Sequence, residues 1–218
     1  MNIAVKGSED RTQELAERLS SVGMSFTKLE STKNIQLADF DIIFDLNFDA
    51  DNASLPDYKT LPANVHLVLS AVECQLEAVI PKSLWSQTLG INALPTFINR
   101  NEIECCVFGE SEPSYLKQLG WNHINQVASR VGLVSPRVVC MIINEAFYTQ
   151  QEGTANAQDI DLGMKLGTAY PLGPFEWAQK IGIVNVYRTL SALYNDTHDE
   201  RYKICSQLKT AYLKQIAQ

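Results

Sequence analysis

The run from Gly153 to Gly182, GTANAQDIDLGMKLGTAYPLGPFEWAQKIG, constrains this chain more than any other stretch, because it marks where helices must stop and restart. Gly153 can close one helix in the left-handed conformation that residues with a Cβ adopt only at a steric cost. Asn156 can cap the next helix, with Asp159 and Asp161 near its positive end, and Gly167 then stops it. Pro171, Leu172, Gly173 and Pro174 form a rigid turn, and the second proline suits the first position of a further helix carrying Phe175, Trp177 and Ile181.

Upstream the pattern is different. NIAVK (2–6) is a short apolar run before Gly7, and residues 9–22 place Leu15, Leu19 and Val22 at helical spacing. MSFTKLE (24–30), FDIIFDL (40–46) and VHLVLSA (65–71) read as further strands, QTLGINAL and IECCVF add two more, and HINQVA (123–128) reads as an edge strand. The polar stretch 49–64 reads as a mobile loop. This alternation predicts an α/β, Rossmann-like domain with a mostly parallel sheet over 1–129, whose ligand-binding edge lies at the strand carboxyl ends. An all-α domain follows over 130–218, with helices from Ser135 to about Glu152, over 156–167, from Pro174, and over roughly 198–216.

Composition excludes several classes. A formal charge of -7 opposes non-specific nucleic-acid binding, which needs clustered Lys and Arg. No apolar run approaches the length of a membrane span, and the start lacks the basic flank and hydrophobic region of a secretory signal, so the cytoplasm is the expected location. Cys74, Cys105, Cys106, Cys140 and Cys205 show no C-x-x-C pair and no histidine in register for zinc. They read as buried thiols in a reducing compartment, and no metal site is expected.

The segment DIDLGMKLGTAYPLGPFEWAQKIG closely resembles the C-terminal helical domain of the 3-hydroxyacyl-CoA dehydrogenases. The resemblance continues upstream through GLVSPRVVCMIINEAFYTQQEG and, more faintly, to the N-terminus. It implies a Rossmann-like domain ahead of the helices, NAD as cofactor, an acyl-CoA-like small molecule as ligand, a place in fatty acid metabolism, and a homodimer through the helical domain. Two apolar runs support the dimer: Val138, Val139, Met141, Ile142 and Ile143, then Phe175, Trp177, Ile181, Ile183, Val184 and Val186.

The family's chemistry does not carry over residue by residue. A dinucleotide-binding turn needs glycines so that a pyrophosphate can approach backbone N–H groups at a helix N-terminus. Here only Gly7 remains in G-S-E-D-R-T, where Glu9 and Thr12 stand at the other glycine positions and Asp10 adds a second charge. Ser8 or Asp10 can instead cap the helix, closing the site from within. Glu30, at the end of the second strand, falls where the family carries an acid for the ribose hydroxyls; it reads equally as a solvated charge. About eight residues follow that strand before the next, too few for the helical hairpin with which the family helps hold CoA.

In GINALPTFINRNEIE, Asn92 stands where the resemblance places the general-base histidine, and Glu104 falls on the glutamate that orients it. An amide cannot take a hydroxyl proton near neutral pH. The family's substrate-binding asparagine maps to Pro136, which with Ser135 makes a strong helix start, and the family's serine-rich turn corresponds to the stretch beginning at Ser70. His66, His123 and His198 neighbour no nucleophile signal. Two readings remain: a diverged pseudoenzyme serving as a binding or interaction protein, or an active oxidoreductase on 3-hydroxyacyl-CoA or a related hydroxy acid with a rearranged site using Glu104.

Overall fold

The runs IAVK, IIFD and HLVLS are apolar at successive positions, which suits strands whose sheet is covered on both faces. The computed structural model, which describes residues 1–33, 35–108 and 113–217, has that arrangement in the first of two units, Met1–Leu133 and Val134–Gln218. A seven-stranded sheet runs in the order β2-β1-β3-β4-β5-β6-β7. Its strands are β1 (Ile3–Lys6), β2 (Thr27–Lys28), β3 (Ile42–Asp45), β4 (His66–Ser70), β5 (Thr88–Ile91), β6 (Glu102–Val107) and β7 (His123–Gln126). The first five are mutually parallel; β6 is antiparallel to β5, and β7 is parallel to β6.

In-register pairing sends Val5, Phe44, Val68 and Leu89 to one face, where Leu15 and Leu19 of helix α1 (Glu9–Ser20) and Trp121 cover them. Ala4, Ile43, Leu67 and Leu69 point to the other face, against Phe48, Tyr58, Leu76 and Leu84. Because β2 lies on one side of β1 and β3 on the other, the winding direction reverses between β1 and β3. In open α/β sheets that reversal opens a crevice at the strand carboxyl ends.

Two expectations for this unit need correction. MSFTKLE contributes only Thr27 and Lys28 to the sheet, since an edge strand is held from one side alone and both residues are exposed. The stretch 49–64 is structured: Asn52–Ser54 and Leu55–Tyr58 form single helical turns, and Tyr58 is fully buried.

The second unit packs α2 (Ser135–Gln151), α3 (Ala157–Thr168), α4 (Pro174–Ile181), α5 (Ile183–Thr197) and α6 (Ser206–Ile216). Gly153 ends α2 with φ 75°, and the Asn156 side chain accepts the Asp159 amide at 3.0 Å. Gly167 does not stop α3, which runs on to Thr168 and ends at Ala169 in the left-handed region. Asp161 serves a different helix from the one expected, its carboxylate accepting the amides of Phe175 at 2.8 Å and Glu176 at 3.2 Å in the first turn of α4. Only Gly173 fits beside it, because an added Cβ would lie 2.3 Å from Asp161 Cγ.

Helix α5 was not foreseen: one residue, Gly182 with φ 91°, separates it from α4. The final helix begins at Ser206 rather than near 198, where His198 ends α5 in the left-handed region. Of the two expected dimer runs, Ile143, Trp177, Ile181 and Val186 are buried in this unit's own core, while Val138 is exposed and the other residues are partly exposed. Among the described residues, no helix is long and apolar enough to cross a membrane.

Candidate functional site

At the winding reversal, β1 ends in Lys6 and Gly7 follows, while β3 ends in Asp45 and Leu46 follows. Gly7 has a packing role, because a Cβ there would lie 3.0 Å from Leu46 Cβ and 3.3 Å from Thr12 Cγ2. Ser8 is the residue before α1, and its carbonyl accepts the Thr12 amide at 2.9 Å and the Thr12 hydroxyl at 3.0 Å. Its side chain makes no capping bond to the helix. Asp10 does that work instead, accepting the Arg11 amide at 2.8 Å and the Ser8 hydroxyl.

Glu9 leans outward to Lys28 on β2, which it meets at 2.6 Å; Glu30 lies 4.0 Å from the same ammonium, and both glutamates are exposed. The hydrogen bond and charge of Glu9 hold the Lys28 ammonium above the ordinary lysine range. The positive end of α1 is thus surrounded by Glu9 and Asp10, so its dipole is already complemented by carboxylates of the chain itself.

Beneath this turn lie two charged clusters that inspection of the sequence missed. Lys6 Nζ meets Asp45 at 3.2 Å, and the buried carboxylate also accepts the Tyr58 hydroxyl at 2.8 Å. Burial, followed by the Asp45 charge, pushes the Tyr58 phenol well above its usual range. On the opposite face Arg11 is 3% exposed and donates to the Leu46 carbonyl and to Ser70 Oγ, with Asp49 Oδ1 at 3.9 Å. The other Asp49 oxygen accepts the Val72 and Glu73 amides at 2.7 and 3.0 Å, fixing the turn after β4. One signal was available: Arg11 stands four residues before Leu15, on the buried stripe of α1.

Asn92 and Glu104 are brought together at the end of β5. The Asn92 amide donates to the Glu104 carbonyl at 3.0 Å across the antiparallel β5–β6 pair, and the residues are 2% and 8% exposed. Asn92 spends its side-chain oxygen on the Leu94 amide at 3.2 Å, a local turn, while its Nδ2 is buried without a partner. The arrangement offers a donor at this position and no imidazole. Ser70, in register with Ile91, is tied into the Arg11 cluster. Pro136 is buried in the first turn of α2.

The histidines lie elsewhere. His66 begins β4, at the end of the sheet away from Asn92, His123 begins β7, and His198 terminates α5. Among the described residues, no three metal-ligating side chains cluster.

Residues 132–215 match the family model described as the 3-hydroxyacyl-CoA dehydrogenase, C-terminal domain. The chain is 42% identical over 95 residues to a 3-hydroxyadipyl-CoA dehydrogenase of Escherichia coli K12, covering 44% of itself and 20% of that protein. It is 39% identical over 72 residues to a 3-hydroxybutyryl-CoA dehydrogenase of Bradyrhizobium diazoefficiens, covering 33% of itself and 25% of the relative. These matches span only a fifth to a quarter of the relatives' length. In fold, 98% of the chain superposes on 94% of a (S)-3-hydroxybutyryl-CoA dehydrogenase from Ralstonia eutropha, with a TM-score of 0.73 at 20% identity. A 3-hydroxybutyryl-CoA dehydrogenase structure from E. coli gives 0.68 at 16% identity, covering 99% of the chain and 57% of that protein.

Proposed function

Given that the helical domain belongs to the 3-hydroxyacyl-CoA dehydrogenase C-terminal domain family, we propose that this protein is a diverged relative that no longer performs NAD-dependent oxidation of a 3-hydroxyacyl-CoA and serves as a binding or interaction protein. The observation that carries this reading is the state of the crevice between β1 and β3. A dinucleotide needs bare backbone amides and uncompensated positive potential there. In this chain Lys6 is paired with Asp45, Arg11 with Asp49, and the first turn of α1 carries Glu9 and Asp10. The residues present do not fit NAD.

The second support is Asn92. A general base must accept a proton, and an amide lacks the basicity for the task near neutral pH; the Asn92 oxygen is moreover held by the Leu94 amide. Glu104 beside it is the residue an active enzyme would use.

Titration of NADH followed by fluorescence, with an active relative as control, tests the proposal. No binding at millimolar concentration and no NADH formation from 3-hydroxybutyryl-CoA are expected. A micromolar dissociation constant would refute the reading of the crevice, and turnover lost in Glu104→Gln would establish the rearranged enzyme.

The ligand class favoured by kinship is an acyl-CoA-like small molecule, and the assembly is a homodimer through the helical domain. For the dimer, Val134, Val138, Leu162, Leu166, Leu213 and Ile216 are exposed apolar residues of that unit. A solution mass of one chain, 24.4 kDa, at micromolar concentration would reject it. All five cysteines are free thiols, which supports a reducing, cytoplasmic setting.

A further inference from the structure

Helices α5 and α6 pack against one another, with Leu190 of the first and Leu208 of the second fully buried. Tyr187 stands three residues before Leu190 and Tyr212 four residues after Leu208, so each tyrosine lies on the same face of its helix as the buried leucine. The two rings stack, with centroids 3.9 Å apart and planes 7° from parallel, and both residues are partly exposed. Among the described residues, the other tyrosine rings that pair do so with phenylalanine, tryptophan or histidine.

Aromatic rings left to themselves do not choose this arrangement. Their electron-rich faces repel, and offset or edge-on pairs with centroids roughly 4.5–7 Å apart are preferred. The closer, parallel approach of Tyr187 and Tyr212 is therefore imposed by the helices that carry them.

Two phenols held face to face are arranged for one reaction. When each loses an electron and its O–H proton, it becomes a phenoxyl radical whose unpaired electron lies partly on the ring carbons beside the C–O bond, in an orbital perpendicular to the ring. Across a parallel stack those orbitals point at each other. Pairing of the two electrons forms one C–C bond between the rings, and the hydrogen on each joined carbon then passes as a proton to the oxygen of its ring, restoring both phenols. The net loss is two electrons and two protons, which reduce one hydrogen peroxide to two waters at a haem peroxidase. We propose that Tyr187 and Tyr212 form an oxidative modification site, at which a one-electron oxidant joins them as an intrachain dityrosine and ties the last helix to the one before it.

The site lies within the helical unit and is independent of the reading of the crevice between β1 and β3. The test treats the full chain with a haem peroxidase and limiting hydrogen peroxide, then examines the single-chain product by dityrosine fluorescence and by mass spectrometry after trypsin. Cleavage after Lys180, Arg188, Lys209 and Lys214 should yield IGIVNVYR joined to TAYLK, lighter than the two peptides together by two hydrogen atoms. Tyr187→Phe and Tyr212→Phe keep a ring in the stack but remove one phenol. Each should lower the intrachain product roughly tenfold or more, since phenols already held together react far faster than those that must meet by diffusion. Tyr194→Phe, a change elsewhere on α5, should leave the yield as it is and shows that the loss is not a general effect of having one tyrosine fewer. Absence of the joined peptide from the oxidised native chain, dityrosine confined to covalent dimers, or an intrachain product undiminished in Tyr187→Phe and Tyr212→Phe would overturn the proposal.

Discussion

The proposed self-neutralisation of the crevice between β1 and β3 can be measured through Arg11 and Asp49. Both side chains are out of solvent, 3% and 0% exposed, with Nη1 3.9 Å from Oδ1. At an effective dielectric of 20 the attraction across that distance is about 4 kcal/mol, most of it offset by the cost of removing both charges from water. Asp49→Asn keeps an acceptor for the Val72 and Glu73 amides but leaves the guanidinium facing a neutral group, at a cost of about 3–5 kcal/mol. Arg11→Met leaves a carboxylate still held by two amides and should cost less, about 2–3 kcal/mol. The double variant removes both charges and keeps an apolar side chain of similar length. It should be no more destabilised than Asp49→Asn alone, which corresponds to a coupling of about 2–3 kcal/mol. Urea unfolding followed by tryptophan fluorescence reads the cycle, since Trp121 is fully buried with its ring 6.4 Å from Phe44 in the same core. Additivity of the two single changes within about 0.5 kcal/mol would show that the charges do not sense one another and that the crevice does not neutralise itself through this pair.

Three further outcomes are expected. Gly173→Ala should destabilise the helical unit by about 2 kcal/mol by displacing the Asp161 cap, yet be nearly neutral in an Asp161→Gly background, which removes the Cβ it would meet; equal costs in both, by urea titration, would disprove the contact. Asn92→His alone should produce no dehydrogenase activity, because a restored base still lacks a cofactor; detectable NADH formation would show that the crevice binds it. Burial pushes the Cys106 thiol up to about 11 and the Cys105 and Cys140 thiols up to about 12, so they stay protonated when native while the unfolded chain releases those protons above about pH 8.5. Stability should therefore fall as pH rises from about 8.5 towards the folded-state values of about 11 to 12, and these thiols should resist a disulfide reagent until denatured; rapid native labelling of all three would contradict this.

How much of this was legible in the sequence depended on the range of the interactions. Gly153 and Asn156 act within a few residues of themselves, and their roles could be read directly. Asp161 could not be placed, because its partners lie at Phe175 and Glu176, beyond a turn whose path the sequence does not state. The α4–α5 break was hidden because Gly182 alone makes it, so the apolar residues on either side read as one run. In the sheet, continuous apolar strands were plain, whereas MSFTKLE was over-read because β propensity does not reveal that a strand has one neighbour. Asn92 and Glu104 were paired in advance by resemblance. Lys6, Asp45, Arg11 and Asp49 escaped notice, since their pairing exists only once β1 and β3 are adjacent.

The rims of the sheet have a consequence for how the chain meets copies of itself. One rim is the two-residue β2, whose Lys28 is bound up with Glu9; the other is β7, only four residues long, where Asn125 bonds back to Glu102. A growing β-aggregate recruits new chains by docking them onto a free strand, and needs several consecutive flat, apolar residues to hold each arrival. Neither rim offers such a template, although interior strands such as β3 and β4 would. The native fold is therefore also a barrier to fibrillar templating, confining the sticky segments to the middle of the sheet, where they are already fully paired.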